Sequence, residues 1–189
     1  LDDKIAAVEG AAMADDVPLF WEFPDDGLLE WKVTANQPLH RFLLQSAVIS
    51  AARGHLKTAT RNFRRLLALD PADEPGAGGL LLACLFGLEE WPEAVTLCEE
   101  RLAVAPSPEF RYGLALALAR SGSGAAAAAE FRLAVKLAPG IARALAEPGI
   151  SPEKDEARRY TTLFGGYWRE SNEARALLGG PAVKKKRSS

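Results

Sequence analysis

Histidine and cysteine are scarce in this chain, two of each in 189 residues. No CxxC and no Cys/His cluster exists, which excludes a zinc finger and a disulfide framework. Cys84 and Cys98 each stand inside an apolar helical pattern and are expected to be small buried hydrophobes. Also missing are a GxGxxG after a strand, a Walker loop, an HExxH and a GxSxG. His40 falls in the first turn of one expected helix and His55 at the start of the next, where exposed or capping roles are expected. Without a nucleophile, a base and an orienting acid in one pattern, the expectation is a protein that is not an enzyme and takes no cofactor. Long apolar runs are lacking too. Leu80 to Leu88 is broken by Gly87, and it is about half the ~18–20 residues that a membrane span needs. Strand-like alternation is essentially absent. The net charge of −2 lacks the basic surplus of a general nucleic-acid binder.

What the chain does have is a period. Pro71, Pro106 and Pro139 stand 35 and 33 residues apart, each after an amphipathic apolar run. Proline cannot continue a helix, so each marks a helix end at the same phase. Twelve residues before each proline stands an alanine: Ala59, Ala94 and Ala127. Eight before stands Phe63, Cys98 or Phe131, and seventeen before stands Gly54, Glu89 or Gly122. Small residues let two helices approach, larger ones fill the gap, and glycine makes a left-handed turn between helices. A phase near 34 residues with these occupants is the tetratricopeptide (TPR) pattern. It is specific in the second helix of each pair and weak in the first, where the usual Trp, Gly and Tyr are missing.

The expected fold is therefore all-α: a TPR-like α-solenoid of three helix-turn-helix repeats with a C-terminal helical cap. Helices are expected over Gln37–Arg53, with Asn36 as N-cap and Pro38 near its start, then His55–Leu69, Gly76–Leu88, Pro92–Val104 and Pro108–Arg120. A further helix carries the alanine run Ala125–Ala129 and ends near Ala138. Cap helices are expected over Ile141–Glu147 and Pro152–Leu178, the latter broken at Gly165–Gly166. Gly76, Gly78 and Gly79 open a helix, but no strand precedes them and no GK[ST] follows, so they read as a loop for close packing and not a phosphate cradle. Four segments result: an N-terminal helix and extended aromatic segment over 1–35, the repeats over 36–140, the cap over 141–178 and a flexible basic tail over 179–189. Phe20, Trp21, Phe23 and Trp31 crowd the first segment, and so many aromatic rings are rarely left in water. The chain begins at Leu1 with no secretory signal, which is compatible with a transit segment removed upstream.

Two candidate binding surfaces follow from the phasing. The inner face of the first helices carries Arg41, Leu44 and Val48, then Ala83, then Tyr112 and Leu116. That face lacks the cations of a carboxylate clamp and suits an apolar segment or helix, the chain's own aromatic N-terminal segment included. The carboxylate pairs Glu89-Glu90 and Glu99-Glu100 read as solvated helix faces. The second surface is basic: Lys57, Arg61, Arg64 and Arg65 at helical spacing, with Lys184, Lys185, Lys186 and Arg187 in the tail. Together they can neutralise ~4–8 phosphates, enough for salt-sensitive RNA contact; the bland reading of the stripe is a solvated face, and of the tail a nuclear-import signal.

The order of several pieces resembles the transcription factor 25 family, whose best-understood member is a subunit of the ribosome quality control complex. The similar pieces begin at Pro18-Leu-Phe, Gly27 to Trp31 and Asn36 to Phe42. They continue with Arg53 to Ala59, Leu66 to Pro71, Asp73 to Pro75 and Pro108 to Phe110. Phe131, Ala134, Pro139 and Gly140 follow, then Tyr160 to Glu170. The chain departs from the family in being much shorter, without its charged N-terminal region or acidic C-terminal extension. The resemblance implies a ribosome-associated adaptor that helps a ubiquitin ligase act on stalled nascent chains. Its partners would be the large ribosomal subunit and its RNA, in the cytoplasm, with no membrane and no small-molecule substrate. The alternative is a structural TPR subunit of another large multiprotein complex, in an organelle or the nucleus.

Overall fold

The computed structural model describes residues 28–147 and 155–179. Among the described residues there are nine α-helices, one 3-10 turn and no strand. None of these helices is long and apolar enough to cross a membrane. The chain divides into two compact units, Leu1–Leu88 and Glu89–Ser189.

The first unit holds α1 (Gln37–Ala52), α2 (Leu56–Leu69) and α3 (Ala77–Gly87), each packed on the other two. Pro38 sits in the first turn of α1, where a missing N–H costs nothing. The expected side-chain cap from Asn36 does not form. Asn36 is itself helical, because the 3-10 turn Thr34–Asn36 feeds straight into α1, and its Nδ2 donates instead to the Glu30 carbonyl at 3.2 Å. In α2 the residues Ala59, Phe63 and Leu66 lie on one face and are all buried. Burying a side chain such as Phe63 or Leu66 contributes about 1.5–3 kcal/mol, so this face fixes α2 in place.

Helix α3 is apolar all round and buries Leu81, Leu82, Cys84, Leu85 and Phe86. Gly76 precedes it in the left-handed region at φ 74°. The Asp73 carboxylate then accepts from the amides of Ala77 (2.6 Å) and Gly78 (2.9 Å). An internal carboxylate thus already occupies the helix start that a phosphate would use.

The second unit holds α4 (Trp91–Val104), α5 (Pro108–Arg120), α6 (Gly124–Leu137), α7 (Pro139–Ala146), α8 (Asp155–Glu170) and α9 (Asn172–Leu177). Each packs on its neighbour, and α9 also returns to α5 and α6. Pro92, Pro108 and Pro139 all stand in first turns. The expected break at Gly165–Gly166 is absent, and α8 runs through both glycines to Glu170. Phe164 and Trp168, both at 0 % exposure, anchor the helix on either side. That burial outweighs the ~1 kcal/mol helix penalty of each glycine. The chain breaks at Ser171, whose Oγ accepts from the Ala174 amide at 3.1 Å and caps α9.

The period is visible in the backbone. Gly54 (φ 82°), Glu89 (φ 57°) and Gly122 (φ 80°) all adopt the left-handed conformation, at the same 35 and 33 residue spacing. Ala59, Ala94 and Ala127 are each at 0 % exposure.

Candidate functional site

The basic stripe lies along α2. Lys57, Arg61 and Arg64 are exposed, and Ala68 continues the same line. At 100° per residue these four fall within roughly 60° of arc, a single face opposite Phe63 and Leu66. Arg65 is turned off that line and half-buried, and burial lowers the pKa of its guanidinium from the ordinary arginine value. Its partner surface in the tail, Lys184 to Arg187, lies outside the described residues.

Charge sign by segment is a stronger signal than helical spacing. From Trp31 to Leu69 the chain has no acidic residue, while it carries Lys32, Arg41, Arg53, Lys57, Arg61, Arg64 and Arg65. Exposed Arg53, the C-cap of α1, belongs to this run and was missed by spacing alone. Surface helices ordinarily alternate acids and bases at i,i+4. Here neither α1 nor α2 has such an acid.

The expected partner face fares differently in the two units. In the first, Arg41 and Val48 are exposed on α1 and Leu44 is half-buried, as is Ala83 on α3. Arg41 is held by its surroundings. Its guanidinium lies 5.7 Å over the Trp31 ring, and Nη2 donates to Gln37 Oε1 at 3.4 Å.

In the second unit Tyr112 and Leu116 are both at 0 % exposure and offer no surface to a partner. The cap closes this face. Tyr112 packs on Tyr160 (5.5 Å between centroids) and Trp168 (6.3 Å) from α8, and on Phe131 (5.9 Å) from α6. The Tyr112 hydroxyl donates to the Ala138 carbonyl at 2.9 Å and accepts from the Ala142 amide at 3.2 Å. Burial pushes its phenol up to about 12.

His40 corrects a further expectation, because it is fully buried and not exposed. The residues before α1 fold back as a strap: the Leu29 amide donates to the Leu69 carbonyl at 2.8 Å, and His40 Nε2 donates to the Leu29 carbonyl. Trp31 stands edge-on to the His40 ring, 5.8 Å away at 88°. His55 is exposed, as expected. Of the aromatic cluster only Trp31 is described; Phe20, Trp21 and Phe23 lie outside the described residues.

Cys84 and Cys98 are buried free thiols. Desolvation pushes Cys84 up to about 11 and Cys98 higher still, helped by the nearby Glu109 and Glu99 carboxylates. Neither is poised as a nucleophile at neutral pH. A cavity of about 360 Å³ is lined by Ser107, Glu109, Ile141, Asp155, Glu156, Arg159 and Tyr160. It sets carboxylates against Arg159, which approaches Glu109 Oε2 at 3.8 Å, and neither histidine nor cysteine reaches it. No family model matches the chain, and no curated protein matches it.

Proposed function

We propose that this protein is a non-catalytic TPR-like scaffold, built of three helix pairs and a cap, that serves a ribosome-associated assembly through the basic face of α2. The observation that carries the scaffold reading is the recurrence of one left-handed turn, Gly54, Glu89 and Gly122, at the 35 and 33 residue period. A repeated turn of one conformation is what stacked helix pairs need. The anion-contact reading rests on the acid-free run from Trp31 to Leu69 and on the exposed line Lys57, Arg61 and Arg64. Cations on a helix face gain affinity for phosphates by counterion release, and that gain falls with salt. The ribosomal assignment, with ubiquitin ligase machinery acting on stalled chains, rests on the family resemblance alone. The buried Tyr112 and Leu116 argue against a peptide groove running into the third pair, so contact is assigned to α1 and α2.

A sucrose gradient of cell lysate tests this. The protein should travel with large ribosomal subunits at low salt and leave them at high salt. The variant K57E/R61E/R64E should stay at the top at all salt concentrations. Deletion of residues 182–189 should weaken the association further without lowering the melting temperature. Co-migration with a different complex, indifferent to the charge reversal, would replace the ribosomal reading with that of a structural subunit elsewhere.

A further inference from the structure

The cavity of the second unit is lined from the starts of two helices. Ser107 and Glu109 stand at the start of α5, Asp155 and Glu156 at the start of α8, and Ile141 of α7 adds an apolar wall. Helix starts favour acids, so the carboxylates alone need no ligand. The cavity among them and the chemistry of Tyr160 are what helix ends do not explain.

Tyr160 lines the same cavity and is 2 % exposed. Its oxygen accepts from the Trp168 indole at 3.0 Å, which leaves the hydroxyl proton to donate. Among the described residues no acceptor takes that proton. Burial holds the phenol protonated well above its ordinary range, so the group is a donor at neutral pH. A buried donor costs free energy until an acceptor meets it.

Charge sets the other half of the ligand. Three carboxylates, Glu109, Asp155 and Glu156, line the cavity against one guanidinium, Arg159. Asp155 is engaged by Arg158 at 3.2 Å and Glu109 by Arg159 at 3.8 Å. The two arginine side chains are 57 % and 59 % exposed, so water screens both pairs and a better-placed cation can take over. An anion would meet a net negative wall. A lysine side chain would suit the carboxylates but leave Tyr160 unmet, since only methylenes adjoin its ammonium. An α-ammonium carries a peptide carbonyl beside it and so brings donor and acceptor together. At about 360 Å³ the cavity is at the small end of the ~300–1,000 Å³ of ligand sites, room for one or two residues.

We propose that this cavity captures the free amino terminus of a peptide. The ammonium lies among Glu109, Asp155 and Glu156, and the first carbonyl accepts from the Tyr160 hydroxyl. A small apolar first side chain rests on Ile141. The site is separate from the basic face of α2 and does not depend on the ribosomal reading. It gives the scaffold a second kind of contact, with the end of a protein chain.

The test uses the full chain with carbon-13 at Cζ of tyrosine. Three tyrosines give three resonances, and Y160F identifies one by its loss. The probe is alanyl-alanine amide at pH 7, which should move the Tyr160 resonance saturably. Its N-acetyl derivative keeps the carbonyl but lacks the charge, and should bind at least about tenfold more weakly. E109Q/E156Q should lose about tenfold in affinity for the free amine. R159Q should gain about threefold, because the guanidinium that competes for Glu109 is gone. Circular dichroism shows whether each variant keeps its helices. Where the double variant unfolds, E156Q alone, at an exposed position, should still lose about threefold.

No saturable movement of the Tyr160 resonance overturns the proposal. Equal binding of the free and acetylated peptides overturns it as well, since the ammonium would then be irrelevant. Weaker binding in R159Q, with a preference for N-acetyl-alanyl-alanine and its free carboxylate, overturns it in favour of a carboxylate end.

Discussion

The His40 ring donates from Nε2 to the backbone carbonyl of Leu29, eleven residues upstream. A carbonyl can only accept, so this bond fixes the proton on Nε2. It ties the strap to α1, and the Leu29 amide ties the same residue to α2. One buried histidine thus closes a three-way junction of strap, α1 and α2.

His40→Leu should therefore destabilise the protein. It empties a fully buried site of its polar ring and leaves the half-buried Leu29 carbonyl without its donor, at a cost of about 1 kcal/mol. His55→Ala should stay within about 0.5 kcal/mol, because His55 is exposed and makes no capping bond. Thermal unfolding of the two variants side by side checks the contrast. Equal melting temperatures would refute the junction.

Tyr160 and Trp168 make the corresponding junction in the second unit. The buried indole Nε1 donates to the Tyr160 hydroxyl at 3.0 Å. Tyr160→Phe keeps the ring but strands the indole N–H, so a loss of about 1–3 kcal/mol is expected. Trp168→Ala removes the ring that touches Tyr112 and Phe131, and should cost about 3–5 kcal/mol. Denaturant unfolding followed by circular dichroism reads both. A Phe variant as stable as wild type would show that the indole finds another acceptor.

The left-handed turns respond differently to the loss and the gain of a glycine. Nothing lies within 4 Å of a Cβ added at Gly54 or Gly122, so Ala there meets no steric clash. Each substitution should still cost about 1 kcal/mol, since φ near 80° disfavours any side chain. Glu89 already bears that strain at φ 57°. Glu89→Gly relieves about 1–2 kcal/mol of it. Against this stand about 0.5–1 kcal/mol of extra unfolded-chain freedom. The exposed ion pair to Arg120 at 3.2 Å is also lost, and such pairs are worth under about 1 kcal/mol. These terms nearly cancel, so the glycine variant should melt close to wild type, unlike Gly54→Ala and Gly122→Ala, which should both melt lower.

These particulars show where sequence was sufficient. The second helices were legible because their packing uses few, distinctive residues at fixed phase: an alanine for contact, a large residue as filler, a proline as stop. Glu89 hid one turn, since no rule on composition expects glutamate at a positive φ. The strap was illegible for a different reason. Its bonds join Leu29 to Leu69 and to His40, and such long-range pairing leaves no periodic trace. At Gly165 and Gly166 local propensity favours a break, while the tertiary burial of Phe164 and Trp168, which no local pattern reveals, favours a continuous helix. The basic stripe was legible in spacing, but its acid-free surroundings mattered more than its period. The closed third face was not legible, since nothing in Tyr112 itself says that α8 lies over it.

Alkaline pH should weaken the fold through groups that are neutral and buried. Cys84 is pushed up to about 11, Tyr112 up to about 12, and Tyr160, fully buried, well above its ordinary value. In the unfolded chain the same thiol and phenols titrate near about 8.5 and 10. Between those values and the native ones, the unfolded state has lost protons that the native state still holds. Stability therefore falls as pH rises through that window, and it is untouched below about pH 8. Each unit of separation corresponds to about 1.4 kcal/mol, so a loss of at least ~2 kcal/mol is expected between pH 8 and 10.5. The melting temperature should drop accordingly. Absorbance at 295 nm adds an independent reading: of the three tyrosines, Tyr112 and Tyr160 should stay protonated at pH 10.5 while the protein is folded, and ionise when denaturant is added. The two cysteines should ignore a thiol reagent at pH 8 until the same denaturant concentration. Fast thiol labelling in the native protein, or full tyrosine ionisation before unfolding, would show that these side chains reach water without the cap and α3 coming apart.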